Sequence, residues 1–195
     1  MSAIPHSIAP SAAFSAEALA ALLPSHAAPP LQQLQRLIAA GLDRLPLPGH
    51  GATLQRWQAL AAVAAIDLSL LKLYEGHTDA LAILAEIDGT QAPAGSSWGV
   101  WCAEMPDARV TLHQGADGHW KLDGRKAWCS GAAGISHALV SCWNEAGDAC
   151  LAQVALGQAG VAVTQDGWQA VGMAGSASVD VVFSAAHAVP VGAPG

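Results

Sequence analysis

Positive charge is scarce in this chain. Eight Lys and Arg stand against fifteen Asp and Glu over 195 residues, a net charge of −7. No basic run occurs, so a surface that tracks nucleic-acid phosphates is not expected. Charged residues of either sign reach only 12%, whereas hydrophobic residues reach 52%. Disorder needs the opposite balance, and a chain of this length buries enough surface to fold without disulfide staples. Long apolar runs are also lacking. The most apolar stretch, Leu60 to Leu71, is interrupted by Asp67 and falls short of the ~20 residues a spanning helix needs. Membrane insertion is therefore not expected. The start, MSAIPHSIAPSAAF, has no Lys or Arg ahead of its apolar residues, so it does not read as a secretory leader and the expected compartment is the cytoplasm. Cysteines number four, Cys102, Cys129, Cys142 and Cys150, with no Cys-x-x-Cys pair. They read as small apolar residues rather than a disulfide framework or a zinc site. The eight histidines are scattered, with no pair at i, i+4, and no metal site is expected.

What is present divides the chain near Ala94. Before it come Ala, Leu and Gln; after it Val, Trp, Cys and Gly with turn residues at short intervals. The spacing predicts a helix from Ser15 to Leu23, capped by Ser15 and stopped at Pro24. A second begins at Pro30 and ends at Gly41, with Leu31, Leu34, Leu37 and Ile38 on one face. Thr53 to about Tyr74 is apolar on every face and reads as a central helix, with Asp67 as a possible break. Gly76 and His77 separate it from a last helix, Asp79 to Ile87.

Eight strands are expected beyond Ser97: 98–103, 109–114, 119–122, 126–129, 138–144, 150–155, 161–164 and 178–184. Asp117-Gly118 and Asp123-Gly124 both read as hairpin turns. Short strands at this spacing suggest a barrel or a sandwich, and nothing between them is long enough for crossover helices. The fold class is α+β, with residues 1–93 helical, 94–195 β, and 1–14 expected to be mobile.

Two short patterns carry little. Gly49-His50-Gly51 follows no strand and lacks a third glycine, so it is a poor dinucleotide fingerprint. Ser69-Leu70-Leu71-Lys72 has the Ser-x-x-Lys spacing of penicillin-recognising enzymes, but their Ser-Asp-Asn and Lys-Thr-Gly partners are absent. The tryptophans say more: Trp98, Trp101, Trp120, Trp128, Trp143 and Trp168 all fall in the β half. Most serve as core, and one or two are candidates to flank a planar ligand.

The segment Gly118-His-Trp-Lys-Leu-Asp-Gly-Arg-Lys-Ala-Trp-Cys-Ser-Gly131 resembles the middle-domain signature of the acyl-CoA dehydrogenase superfamily. Upstream, Trp101-Cys102-Ala103-Glu104-Met105-Pro106 is similar to that family's strand ending in Thr-Glu-Pro. Downstream, Gly172-Met-Ala-Gly-Ser-Ala-Ser-Val-Asp-Val-Val-Phe183 and Val189-Pro190 follow in the family's order, and Asp67, Ser69 and His77 resemble its helix pair.

The resemblance implies an α-helical domain followed by an antiparallel β-barrel middle domain that holds FAD. It places Trp128 against the flavin ring and Ser130, beside Cys129, near the reactive edge. The backbone of Trp101, Cys102 and Ala103 would meet the pyrimidine side. It further implies oxidation of a CH–CH bond in an acyl thioester, electrons leaving to an electron-transferring flavoprotein, and a homo-oligomer in the full-length form.

The family's catalytic base lies in a C-terminal helical domain, so no catalytic residue is assigned here, and little activity is expected of this chain alone. Ala103 replaces a flavin-binding Thr, the Gly-Ser-Asp after Thr-Glu-Pro is absent, and Ala174 replaces Arg. These departures leave room for a flavin-dependent monooxygenase of the same fold, or for a non-catalytic interaction module.

Overall fold

The computed structural model describes residues 16–23, 28–87, 89–167, 169 and 171–195. The expected Ser15 cap, the mobile start and Trp168 lie outside these. Four α-helices come first: α1 (Ala16–Leu22), α2 (Pro30–Ala39), α3 (Thr53–Ile66) and α4 (Leu68–Ile87). Eight strands follow: β1 (Trp98–Trp101), β2 (Val110–Gln114), β3 (Trp120–Cys129), β4 (His137–Trp143), β5 (Ala149–Ala155), β6 (Val161–Gly167), β7 (Val179–His187) and β8 (Val189–Val191). Among the described residues no helix is long and apolar enough to cross a membrane.

Helix α2 starts on Pro30, whose fixed φ suits the first turn. It ends on Gly41 at φ +70°, where Leu42 N–H donates to Leu37 O and Gly41 N–H to Ile38 O. That paired closure needs a left-handed residue, which glycine adopts without steric cost. Asp67 breaks the long apolar segment as the sequence suggested. Its backbone is extended and its side chain accepts from Leu70 N–H at 2.7 Å, capping α4.

Two helix expectations are corrected. No break occurs at Gly76 and His77; α4 runs on for 20 residues. His77 is held mid-helix by partners on other segments, described below. The central helix is also α4, not α3. Leu54 and Trp57 on α3 are 65% and 64% exposed, while Leu70, Leu73, Tyr74, Ala80 and Leu84 of α4 are buried. Helix α3 is anchored by a charge instead. Arg56, 5% exposed, donates to Asp79 at 2.5 Å and to Pro46 O at 3.2 Å.

The strands form one sheet in the order β6-β7-β3-β2-β4-β5-β8, with β1 beside β4. Most pairings are antiparallel, but β1–β4 and β2–β4 are parallel, a departure from the all-antiparallel expectation. No crossover helix is needed, because the β2–β3 hairpin itself carries the chain across. Only Ala188 separates β7 from β8. The run from Val179 to Val191 therefore pairs first with β3 and then with β5, and strands 3-2-4-5-8/7 surround one core.

The expected strands 119–122 and 126–129 are one continuous strand, β3. Asp117-Gly118 is a turn: Gly118 N–H donates to Gly115 O at 2.9 Å and Asp117 accepts from His119 N–H at 3.1 Å. Asp123-Gly124 is not. The register against β7 shifts there, and Asp123 accepts from Ala185 N–H at 2.8 Å. Gly124, at φ +120°, lies so close to the Arg109 carbonyl that a Cβ would overlap it. The dipeptide is a bulge inside a strand, which local sequence does not distinguish from a turn. Leu34, Leu37, Leu70 and Tyr74 from the helices share one apolar core with Val110, Leu112, Leu122, Val140, Val181 and Phe183 from the sheet.

Candidate functional site

The ends of β1 and β3 meet at one edge of the sheet. The Trp101 indole N–H donates to the Ser130 carbonyl at 3.3 Å. The residues chosen from the two sequence motifs, Trp101–Ala103 and Trp128–Ser130, are thus brought together, although 25 positions separate Ala103 from Trp128.

 The intervening residues 104–127 hold β2 and most of β3, so the contact is made by topology rather than by proximity in sequence.

A buried lysine ties the same two segments. Lys126, 0% exposed, donates to Glu104 Oε1 at 2.6 Å, to Ser141 O at 2.8 Å and to Ser141 Oγ at 2.7 Å. All three ammonium protons are used, as burial of a charge requires. Glu104 also accepts from the Ser141 hydroxyl and from Trp143 Nε1 at 3.2 Å. Burial pushes the Glu104 carboxyl up, but the hydrogen bonds from Lys126, Ser141 and Trp143 outweigh it and hold the group below the usual carboxylate range. Glu104 and Lys126 are therefore structural, and sequence reasoning did not pair them. The signal was Lys126 itself, a cation directly before the buried Ala127 on a strand that ends at the buried Cys129.

Trp128 is set apart by its backbone. It has φ +60°, an outlier for a bulky residue, and sits where the β3–β7 register shifts between Lys126 and Cys129. A bulge of this kind re-aims a side chain, and here the indole is turned outward, 47% exposed, while its neighbours Ala127 and Cys129 stay buried. Strained backbone of this type concentrates at functional sites. Cys129 points inward. Its thiol donates to Lys126 O at 3.3 Å, and burial pushes its pKa well above the ordinary thiol range. Of Cys129, only the backbone is offered to the edge. Cys102 is exposed and Ala103 half-buried.

Ser130 is 9% exposed and its hydroxyl lies 2.7 Å from Ser178 Oγ, which in turn lies 3.0 Å from Ser176 Oγ. Gly131 N–H donates to Ser176 O at 2.9 Å, fixing the 172–178 segment against this edge. The downstream motif is thereby joined to the other two. Gly131, at φ +73°, packs against Leu73 of α4 too closely for an unadjusted Cβ.

The enclosed space beside Trp101 and Ser130 is only about 10 Å³, lined also by Gly76, Gly99 and Ile135. It holds about one water, so a planar ring system would lie on the open edge against Trp128. A larger open groove of about 530 Å³ is lined by His119, His137, His187, Gln158 and Val189, and contains none of the residues assigned to the flavin from sequence, although His119 and Val189 belong to the motif segments. Among the described residues no group of three or more His, Cys, Asp or Glu can hold a metal. All four cysteines are free, but only Cys129 and Cys142 are buried.

His77, from the helix-pair motif, is wholly buried. Its Nδ1 accepts from Trp98 N–H at 3.2 Å and its Nε2 faces Asp43 Oδ2 at 3.2 Å. An acceptor at Nδ1 leaves the proton on Nε2, directed at Asp43. This histidine joins α4 to β1 and is not at the edge. Ser69 and Lys72 likewise form no catalytic pair: Lys72 is bound to Glu75 at 2.9 Å.

A layer of helices followed by one eight-stranded sheet is the arrangement of the acyl-CoA dehydrogenase fold, and solved structures of that fold are what this chain is similar to. FMN-bound TdsC from Paenibacillus sp. A11-2, a dibenzothiophene monooxygenase, is 24% identical with a TM-score of 0.68, over 84% of this chain and 47% of that one. Methanesulfinate monooxygenase MsuC from Pseudomonas fluorescens is 21% identical with a TM-score of 0.64, over 88% and 50%. An acyl-CoA dehydrogenase complexed with FAD from Bacillus anthracis is 16% identical with a TM-score of 0.69, over 85% and 32%. The chain thus spans from a third to a half of the length of these proteins. No protein-family model and no curated protein matches the sequence.

Proposed function

We propose that this chain forms the flavin-holding part of a flavin-dependent oxidoreductase, and that its flavin is FMN in a reaction of the monooxygenase type. The observation that carries the reading is the convergence of Trp101, Trp128 and Ser130 at one edge. Trp128 offers a half-exposed indole face on which a planar ring can stack, and Ser130 offers a hydroxyl beside it. Trp101, Cys102, Ala103 and Cys129 would contribute backbone groups. The flavin supplies the redox chemistry when bound; the chain's residues bind and orient it.

Two features favour a monooxygenase over a thioester dehydrogenase. The loop after Glu104 is closed tightly by a bridge between Met105 and Ala108, and Asp107 is engaged by Arg125 at 2.9 Å. No extended loop is left there to embrace a thioester. The chain also has only eight Lys and Arg for the phosphates of CoA, and several of these are already paired. The dehydrogenase reading with FAD keeps one point in its favour, the similarity to the FAD-bound enzyme. The substrate in either case is a small molecule.

Titration of the purified chain with FMN and with FAD, followed by the visible flavin bands, separates the readings. Tighter FMN binding that is lost in Trp128→Ala is the expected result. Tighter FAD binding, with anaerobic bleaching of the flavin by an acyl-CoA, would move the assignment to the dehydrogenase. A folded chain that takes up neither flavin would remove both.

A further inference from the structure

Two of the cysteines face each other across the sheet. Cys142 on β4 and Cys150 on β5 are direct partners in the antiparallel register. Asn144 N–H donates to Asp148 O at 3.0 Å on one side of them, and Leu156 N–H to Ser136 O at 2.9 Å on the other. Counting in steps of two from either bond makes Cys142 and Cys150 a hydrogen-bonded pair, whose Cα atoms stand about 5.5 Å apart. A disulfide spans about 4.4–6.8 Å between Cα atoms, so the backbone spacing suits one. Opposed residues share a face, and here it is the core face. Cys142 is 1% exposed, and the half-buried Cys150 packs against the same apolar cluster. The Cys142 thiol lies over the partner strand, 3.7 Å from Cys150 O. Side chains of the turn lock the register. Asn144 Nδ2 donates to Asp148 Oδ2 at 2.9 Å, and Asp148 N–H donates to Asn144 Oδ1 at 2.8 Å. A slip that would part the two thiols is thereby blocked.

We propose that Cys142 and Cys150 form a two-thiol oxidation site, which a peroxide closes into a disulfide across β4 and β5 and a small thiol reopens. Cys150, the more open of the two, reacts first. Its thiolate attacks hydrogen peroxide and the O–O bond breaks; one oxygen leaves as water and the other stays on sulfur as a sulfenic acid. Cys142 then attacks that sulfur. The S–O bond breaks, the S–S bond forms, and the Cys142 proton departs with the oxygen as a second water. Two thiols are oxidised and one peroxide is reduced to water. Burial, reinforced by Cys150, pushes the Cys142 thiol up to about 12, so it keeps its proton at neutral pH and takes the second role. No flavin takes part. Closure needs some movement, because a hydrogen-bonded pair holds its Cβ atoms about 1–2 Å further apart than a disulfide does. The strands have that freedom. β1 pairs with β4 as far as Val140, β2 at Trp143, and β8 with β5 as far as Leu151, so among the described residues no outer strand pairs with either cysteine. The resulting bond is strained, and a strained disulfide is the readily reduced kind.

The test is hydrogen peroxide treatment of the folded wild-type chain, Cys150→Ala and Cys142→Ala at neutral pH. The readouts are intact mass and cleavage after Glu145, which lies between the two cysteines. The expected result for wild type is a loss of about 2 Da, the two hydrogens of the thiols, with the fragments on either side of Glu145 joined until glutathione is added. Cys150→Ala shows neither change. In Cys142→Ala, Cys150 has no partner and gains oxygen instead, about 16 or 32 Da. If Cys142→Ala does not fold, Cys150→Ala, at the half-buried position, carries the comparison. Oxygen added at Cys150 of the wild type without a bridge overturns the proposal. So does a bridge that survives Cys142→Ala, one that runs to Cys102, or one that joins two copies and appears as a dimer on a non-reducing gel. A Cys150 that stays reduced while the exposed Cys102 is oxidised overturns it as well.

Discussion

Lys126 and Trp128, two positions apart on β3, face opposite demands. The lysine is completely buried and its three protons are spent on Glu104 and Ser141. Replacing it with methionine keeps the stem but strands acceptors that were built around a cation. We expect Lys126→Met to cost about 1–3 kcal/mol, the desolvation penalty of groups left without a partner. In a chain of this length that lowers the melting temperature by about 2–4 °C per kcal/mol, readable by calorimetry. An unchanged melting temperature would mean the network contributes nothing. Trp128 is the reverse case, a half-exposed side chain on a left-handed backbone. Trp128→Gly relieves about 1–2 kcal/mol of steric strain, which offsets the contacts it removes. We therefore expect stability within about 1 kcal/mol of wild type and complete loss of retained flavin. A large drop in melting temperature would show that the indole is held for packing instead.

At the scale of elements, the boundaries that matter are set by single side chains. Asp67 ends α3 and caps α4 through Leu70 N–H at 2.7 Å. Asp67→Ala should cost about 1 kcal/mol, measured by urea unfolding, and Asp67→Ser should recover most of it. Gly124 is required by its φ of +120° and by the Arg109 carbonyl that its missing Cβ would overlap. Gly124→Ala is expected to cost about 3 kcal/mol or more, since it adds a steric clash to backbone strain. A cost under 1 kcal/mol would show that the β2 edge can move away. Both residues were visible in sequence, but in different degrees. Asp67 was recognisable as a break because a carboxylate stands within an apolar helical run. Asp123-Gly124 carried the same local signal as Asp117-Gly118, and only the neighbouring strands β2 and β7 decide that one is a bulge and the other a turn.

At the scale of the molecule, helices and sheet share one core, and titration of its rim sets the acid limit of stability. The Glu104 pKa is lowered in the folded state, so the group favours folding above its unfolded pKa, about 4.3. That contribution is lost as pH falls through the lower folded value. His137, stacked on Trp98 at 4.7 Å, has its pKa lowered from the ordinary 6.5 by burial. Its contribution is complete above about 6.5 and is lost as pH falls through the lower folded value. We expect stability to decline in two stages on acidification, one below about pH 6.5 and one below about pH 4.3. His137→Gln should remove the first stage and Glu104→Gln the second, as read by melting temperature against pH. A single acid transition unaffected by either variant would contradict this assignment.

The helix-then-strand order, the start and Schellman end of α2, the break at Asp67, the β2–β3 turn and the fold itself were legible in the sequence. Each depends on contacts within a few residues or on a motif read in register. That His77 has partners in the core agrees with the expectation of scattered, satisfied histidines. Tertiary structure alone decided which helix is central, because an apolar sequence does not state which face meets a sheet, and α3 is anchored through Arg56 instead. It alone decided the parallel pairing of β1 and β2 with β4, the bulge at Gly124 and the outward turn of Trp128. It also joined Lys126 to Glu104 and aligned Ser130, Ser178 and Ser176. Those residues stand 22 and 48 positions apart or close in one turn. Their meeting is fixed by how the sheet curves around its core, which no local pattern records.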